Sequence, residues 1–279
     1  MSKLPSDVND QTERTRVVLI GVGGASCSGK TTIASLLHTI LPNSRLIHQD
    51  DQSFAPPSGL IPIHPKYNVP DWERAETSIE WPKFRQFLQN LKAKDNTPVD
   101  YVNHEGWTDS VAVSQETVVH WQETLGALDA KLRQNGSNIE WGIVEGFLLY
   151  WHPDVIEPLD IRLFLRGDNK TMKARRELRE TYGGADGYMW RDPPEYWDNL
   201  VWPAYLEAHQ RMFIDGNVNG EAIEPVPTSS RDDSTNPSSF GGPVANLIVL
   251  PAENASIQDL FDLACNKLET FMLRLLDEH

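Results

Sequence analysis

Gly24-Ala25-Ser26-Cys27-Ser28-Gly29-Lys30-Thr31 stands between the apolar run Val17-Val18-Leu19-Ile20 and the helix-forming stretch Ile33-Ala34-Ser35-Leu36-Leu37, and this placement decides the fold. The eight residues fit the Walker A pattern in context as well as in letters. Such a loop brings successive backbone N–H groups against phosphate oxygens. Gly24 and Gly29 therefore stand where a side chain would block the approach or the φ angle would be unfavourable. The helix that follows points its positive dipole end at the same oxygens. Lys30 supplies a mobile ammonium for the β- and γ-phosphates, and the Thr31 hydroxyl has the right length to ligate Mg²⁺. Ala25, Ser26, Cys27, Ser28 and Thr32 complete the nucleotide-binding loop. An ordinary Gly-rich strand-to-helix turn is the bland alternative, and it does not account for strand, glycines, Lys-Thr and helix all agreeing.

The chain has 279 residues and a formal net charge of −15. That length suits one α/β core with insertions. We expect a disordered tail over 1–15 and a single domain over 16–279. The acidic balance argues against a nucleic-acid partner, since counterion release needs broad positive surface. The stretch from Met1 to Arg14 is polar with no apolar h-region, and no long apolar run follows, so neither secretion nor a membrane span is expected. The cytoplasm, with the nucleus as the alternative, is the expected compartment. Cys27 and Cys265, without a C-x-x-C pair, suit reducing conditions.

Along the chain, Arg16 to Gly23 reads as a buried parallel strand and Thr32 to Ile40 as a helix. A second strand, Arg45 to Gln49, delivers Asp50-Asp51 at its C-terminal end, where ligands bind in open α/β sheets. Side chains alternate along a strand, so only one of these acids faces the phosphate loop, and that one can accept the proton of an attacking hydroxyl. A solvated acidic turn is the other reading. Phe54 to Pro70 is Pro-rich and aperiodic; it runs into Asp71-Trp72-Glu73, a ring between two carboxylates. An amphipathic helix follows with Pro82 in its first turn and Trp81, Phe84, Phe87, Leu88 and Leu91 on one face. A second helix runs from an N-cap at Ser114 to a terminator at Gly136, with Val118, Trp121, Leu125, Leu128 and Leu132 inward. Ile139 to Gly146 is a buried strand tipped by Glu145, the Walker B geometry for holding Mg²⁺ directly or through water; pairing with a nearby cation is the alternative. Ile161 to Leu165 is a further strand.

From Asp168, an N-cap by residue type, the chain turns basic with Lys170, Lys173, Arg175, Arg176 and Arg179 on one helix, leading into Gly183-Gly184-Ala185-Asp186-Gly187. We expect a mobile lid over about 168–200 whose arginines close on a nucleotide and stabilise transition-state charge. The rings between Trp190 and Tyr205 are expected to be mostly structural. Asp215 to Pro243 reads as a flexible insertion. The chain ends with strand Leu247 to Leu250 and helix Ile257 to Leu276, whose apolar face includes Leu260, Leu263, Leu268, Met272 and Leu275.

Taken together, Gly24 to Thr32, Gln49-Asp50-Asp51, Glu145-Gly146-Phe147-Leu148-Leu149, Arg175-Arg176 and Val201-Trp202-Pro203-x-Tyr205 resemble the nicotinamide riboside kinases, P-loop kinases related to uridine kinases. The resemblance runs from about Val17 to Tyr205 and resumes in the last strand and helix; it breaks in Phe54 to Gln134 and in the Asp215 to Pro243 segment. It implies an α/β P-loop kinase fold of five parallel strands flanked by helices, with a closing lid. The implied reaction is transfer of the γ-phosphate of ATP to the 5′-hydroxyl of nicotinamide riboside in NAD salvage, with nicotinic acid riboside usually accepted too. By matching position, Asp50 is the general base, with Lys30 and Arg176 also catalytic. Thr31, Asp50 and Glu145 lie near Mg²⁺, and Arg175 and Arg179 touch the nucleotide. Trp72-Glu73 fits the aromatic and acid that grip the pyridine ring and ribose, with Glu where Asp is commoner. Asp51, Arg176 and the lid ring Tyr182, chosen over Tyr188 and Trp190, complete the substrate set. The alternatives are a uridine or cytidine kinase and a non-catalytic or regulatory P-loop protein. A guanine-reading Asn-Lys-x-Asp signature is absent, because Asn266-Lys267-Leu268-Glu269 ends in Glu. A monomer acting on a small molecule is the expected assembly.

Overall fold

The computed structural model describes residues 14–94, 113–178, 182–183, 189–225 and 240–278. Its strands are β1 (Arg14–Gly24), β2 (Ser44–His48), β3 (Ser137–Gly146), β4 (Ile161–Arg166), β5 (Tyr182–Gly183), β6 (Met189–Trp190) and β7 (Leu247–Pro251). The helices are α1 (Lys30–Ile40), α2 (Trp81–Ala93), α3 (Gln115–Gln134), α4 (Pro153–Ile156), α5 (Asn169–Leu178), α6 (Trp202–His209) and α7 (Ile257–Asp277). Five strands form one parallel sheet in the order β2-β3-β1-β4-β7. The short pair β5 and β6 is antiparallel and separate. This is the five-stranded α/β arrangement that the family resemblance implies.

β1 sits at the centre because it is apolar on both faces. Val18, Ile20 and Val22 point into one core with residues of α1, α3 and α7, such as Leu37, Leu125 and Leu268. Val17 and Leu19 point into the other, which holds Phe84 and Leu88 of α2 and Tyr205 and Ala208 of α6. Two-residue alternation thus divides one strand between two cores. The helix starts obey local rules. Pro82 lies in the first turn of α2, Ser114 accepts from Thr117 N–H ahead of α3, and Ser256 with Asp259 forms a capping box on α7.

Three expectations need correction. Arg14 and Thr15, placed in the tail by polarity, begin β1 and pair with Ser137 and Asn138, because ladder hydrogen bonds do not depend on side-chain polarity. Leu263 is 40 % exposed; the buried stripe of α7 runs through Leu260, Phe261, Ala264, Cys265, Leu268, Met272 and Leu275, and Leu263 falls on its far side. The excursion after β2 is aperiodic as expected, and fully buried Phe54 anchors it, edge-on to Phe84 and Phe87 at 4.8 and 5.2 Å. Within Asp215 to Pro243, the described ends pack inward. Val218 belongs to the core, and Phe240 stacks on Trp151 at 4.3 Å while Gly241 N–H donates to the Trp151 carbonyl. Residues 226–239 of that segment lie outside the described residues, as do Arg179, Tyr188 and most of the 1–15 tail. No helix of the described residues is long and apolar enough to cross a membrane.

Candidate active site

β1 hands its chain to α1 through the loop Ala25 to Gly29. Gly24 has φ +138°, and a Cβ there would lie 2.2 Å from the Leu165 carbonyl oxygen of β4. Gly29 has φ +96°, with Ile257 of α7 2.9 Å from its would-be Cβ. The φ reading therefore holds, but the atoms that a side chain would strike belong to the protein's own neighbouring elements. Cys27 also adopts φ +63°, a left-handed turn that its residue type does not announce. Lys30 arches back so that Nζ donates to the Ala25 carbonyl at 2.8 Å. Gly24→Ala is expected to destabilise the fold by roughly 3 kcal/mol, on the order of 5–10 °C in Tm, since neither the φ nor the Leu165 backbone can yield. A melting midpoint equal to wild type in calorimetry would contradict that account.

The C-terminal ends of β2 and β3 bring the acids together. Glu145 is only 4 % exposed; its Oε1 accepts from Thr31 Oγ1 at 3.3 Å and from His48 Nδ1 at 2.8 Å. The carboxylate can only accept here, so Nδ1 carries the proton. Ligand atoms of His48, Asp50 and Glu145 all lie within 4.8 Å of one another. Asp50 opens to the cleft, yet the atoms packed around its carboxyl desolvate it and raise its pKa; the Glu145 charge adds to this, while His48 and Lys30 oppose it. Burial works against a charged His48, but the Glu145 hydrogen bond and the charges of Glu145, Asp50 and Asp51 prevail and raise its pKa. β2 ends at His48, so strand alternation does not orient the two acids, and Asp51 lies in the turn beyond the strand. It is buried, and its Oδ1 accepts from Ser53 N–H at 2.7 Å as the cap of the turn Gln52–Phe54.

Gln49 ties these strand ends to each other. Its N–H donates to the Glu145 carbonyl at 2.8 Å, and its Oε1 accepts from Leu148 N–H at 2.9 Å. A Cβ on Gly146 would lie 2.3 Å from that Oε1, which gives the glycine of Glu145-Gly146-Phe147 a packing reason.

Above the loop, Asp168 caps α5 by accepting from the Thr171 hydroxyl and N–H, contacts that lower its pKa. Arg176, 9 % exposed, forks onto Asp192: Nε and Nη2 donate to its two oxygens at 2.6 and 3.0 Å. Nη1 donates to Ser26 Oγ of the phosphate loop at 3.1 Å, and Nη2 lies 3.6 Å from Glu73 Oε1. The guanidinium also sits about 6 Å over the rings of Tyr196 and Trp197 (6.0 and 5.9 Å). Burial raises the Glu73 pKa against the pull of Arg176, with Asp192 and Asp71 adding to the rise. Trp72 beside it is 38 % exposed. Arg175 donates to the Ala252 carbonyl beyond β7 at 2.9 Å. Tyr182 is described only through its backbone pairing with Trp190.

No protein-family model matches the chain. A nicotinamide riboside kinase of Schizosaccharomyces pombe is 34 % identical over 213 residues, covering 75 % of this chain and 86 % of that protein. The chain belongs to the nicotinamide riboside kinase family. Another family member, from Eremothecium gossypii, is 31 % identical over 208 residues, covering 75 % of this chain and 82 % of its own length. The human nicotinamide riboside kinase 2 is 28 % identical over 199 residues, covering 71 % of this chain and 70 % of its own.

For a nicotinamide riboside kinase the donor set fits a magnesium nucleotide. Thr31, Asp50 and Glu145 offer hard oxygens, the ligand type Mg²⁺ prefers. Lys30 and Thr31 open α1 directly after the loop, so the first-turn amides of the helix adjoin the loop's own. His48 and Asp192 are absent from the sequence expectations. His48 precedes the acidic pair without matching a motif, and Asp192 lies in Arg191-Asp192-Pro193, which reads as a turn.

Proposed function

We propose that the protein transfers the γ-phosphate of ATP to the 5′-hydroxyl of nicotinamide riboside, and also of nicotinic acid riboside, giving the mononucleotide for NAD salvage. The observation that carries the proposal is the Asp50 carboxylate at the end of β2, grouped with Glu145 beside the Lys30-Thr31 loop, in a chain of this family. The loop amides hold the phosphates, and Lys30 exchanges the Ala25 carbonyl for phosphate oxygen. Asp50 takes the proton of the 5′-hydroxyl as that oxygen bonds to the γ-phosphorus and the bond to the ADP oxygen breaks. Arg176 supplies positive charge beside the transferring group. Mg²⁺, held by Thr31, Asp50 and Glu145 when bound, neutralises phosphate charge.

For the acceptor, the half-exposed Trp72 ring suits stacking on the pyridinium cation, and Glu73 suits the ribose hydroxyls. Tyr182 as a second ring, Asp51 beside the substrate, and Arg175 and Arg179 towards the nucleotide belong to the same reading. So do a single domain over 16–279 with a lid near 168–200 and an insertion near 215–243, and a cytoplasmic monomer without nucleic-acid or membrane partners.

The test is ADP release with ATP-Mg²⁺ and nicotinamide riboside, nicotinic acid riboside, uridine or cytidine. A preference for the pyrimidines would overturn the acceptor and spare the phosphate chemistry. Trp72→Ala is expected to raise KM for nicotinamide riboside roughly 5- to 30-fold, the equivalent of ~1–2 kcal/mol of cation–π contact, with KM for ATP little changed.

A further inference from the structure

We infer that His48 is a positioning residue: its Nδ1–H fixes the Glu145 carboxylate in the orientation that binds the divalent cation. The inference rests on the metal reading of Glu145 but not on the identity of the acceptor.

His48 and Glu145 are register partners on the adjacent parallel strands β2 and β3, so the backbone ladder sets their separation. The next rung reinforces this, since Gln49 N–H donates to the Glu145 carbonyl. Glu145 Oε1 therefore takes one close bond, from His48 at 2.8 Å, and one long bond, from Thr31 at 3.3 Å. Without His48, the long bond alone would hold a carboxylate that burial has removed from water. With His48 in place, Oε1 is committed and Oε2 is left for the cation. Thr31 donates its proton to Glu145 and keeps its oxygen lone pairs for the same ion. Outer partners that fix a ligating carboxylate in this way are worth about 10- to 100-fold in metal affinity.

The role needs one N–H at the Nδ1 position, which separates it from simple packing and from direct ligation by the ring. An asparagine amide reaches about where Nδ1 lies, whereas a glutamine amide reaches about where Nε2 lies. Leucine fills the space without a donor. The experiment is Mn²⁺ binding to the full chain, followed by the EPR signal of free Mn²⁺ without riboside, with melting curves as the check on folding. His48→Leu is expected to weaken Mn²⁺ about 10- to 100-fold, and His48→Asn to restore it to within about threefold. His48→Gln should remain as weak as His48→Leu. The Mg²⁺ concentration that half-saturates turnover should rise in the same order. If His48→Leu fails to fold, the Asn and Gln pair still decides. Wild-type Mn²⁺ affinity in His48→Leu, or equal affinity in the Asn and Gln variants, overturns the inference alone. Unchanged Mn²⁺ affinity in Glu145→Gln overturns the metal reading and the inference with it.

Discussion

Asp50→Asn is expected to slow turnover by about 10²- to 10⁴-fold, the usual scale for a lost general base, while ATP binding stays close to wild type. The substitution keeps size and hydrogen-bonding reach but removes the site that accepts the 5′-hydroxyl proton. The substitution leaves in place the loop amides and Lys30, the groups proposed above to hold the nucleotide phosphates. Because Asp50 also belongs to the cluster with Glu145, part of any loss could come from weaker metal binding. The two causes separate on titration: a metal defect recovers as Mg²⁺ is raised, and a missing base does not. Steady-state kinetics at several Mg²⁺ concentrations, with ATP affinity from equilibrium binding, makes the measurement. Turnover within about threefold of wild type would remove Asp50 from the role of base.

Arg176→Ala is expected to cost about 10³-fold or more in kcat/KM, the lower end of what arginines contribute in phosphoryl transfer. The residue joins three segments: the Gly-rich loop after β1 through Ser26, the Trp72-Glu73 turn through Glu73, and the stretch after β6 through Asp192. Removing it also leaves two largely buried carboxylates without their cation, so some stability is lost as well. Arg176→Lys distinguishes charge from shape. Lysine restores the charge, but a single ammonium cannot donate in parallel to both Asp192 oxygens and still reach Ser26. We therefore expect Arg176→Lys to recover thermal stability more fully than kcat/KM. Recovery of full activity by lysine would show that the fork geometry is not needed.

Much of the site is legible in the sequence because its parts are local. The loop and its helix are contiguous, and Asp50 and Glu145 each stand at the tip of an apolar run, where a parallel sheet presents ligands. The apolar faces of α2 and α3 follow from three- and four-residue spacing. Leu263 fits the same spacing, but α7 packs against α3, α1 and β7, and these together set the phase of its buried stripe. The Asp215 to Pro243 segment fails it because scattered residues such as Val218 and Phe240 find core partners that composition cannot reveal.

The Gly-rich loop, the acids beside two strand ends, the five sheet strands and helices α1, α2, α3, α5 and α7 are legible in the chain, since each is written in consecutive or periodically spaced residues; α4, α6 and the pair β5/β6 are not. Tertiary packing alone brings His48 to Glu145, sets Arg176 between Ser26, Glu73 and Asp192, and puts the Leu165 carbonyl where a side chain on Gly24 would lie. These pairings join residues far apart in the chain. Their distances are fixed by strand register and by how helices pack on the sheet, and neither quantity is carried by any short stretch of residues.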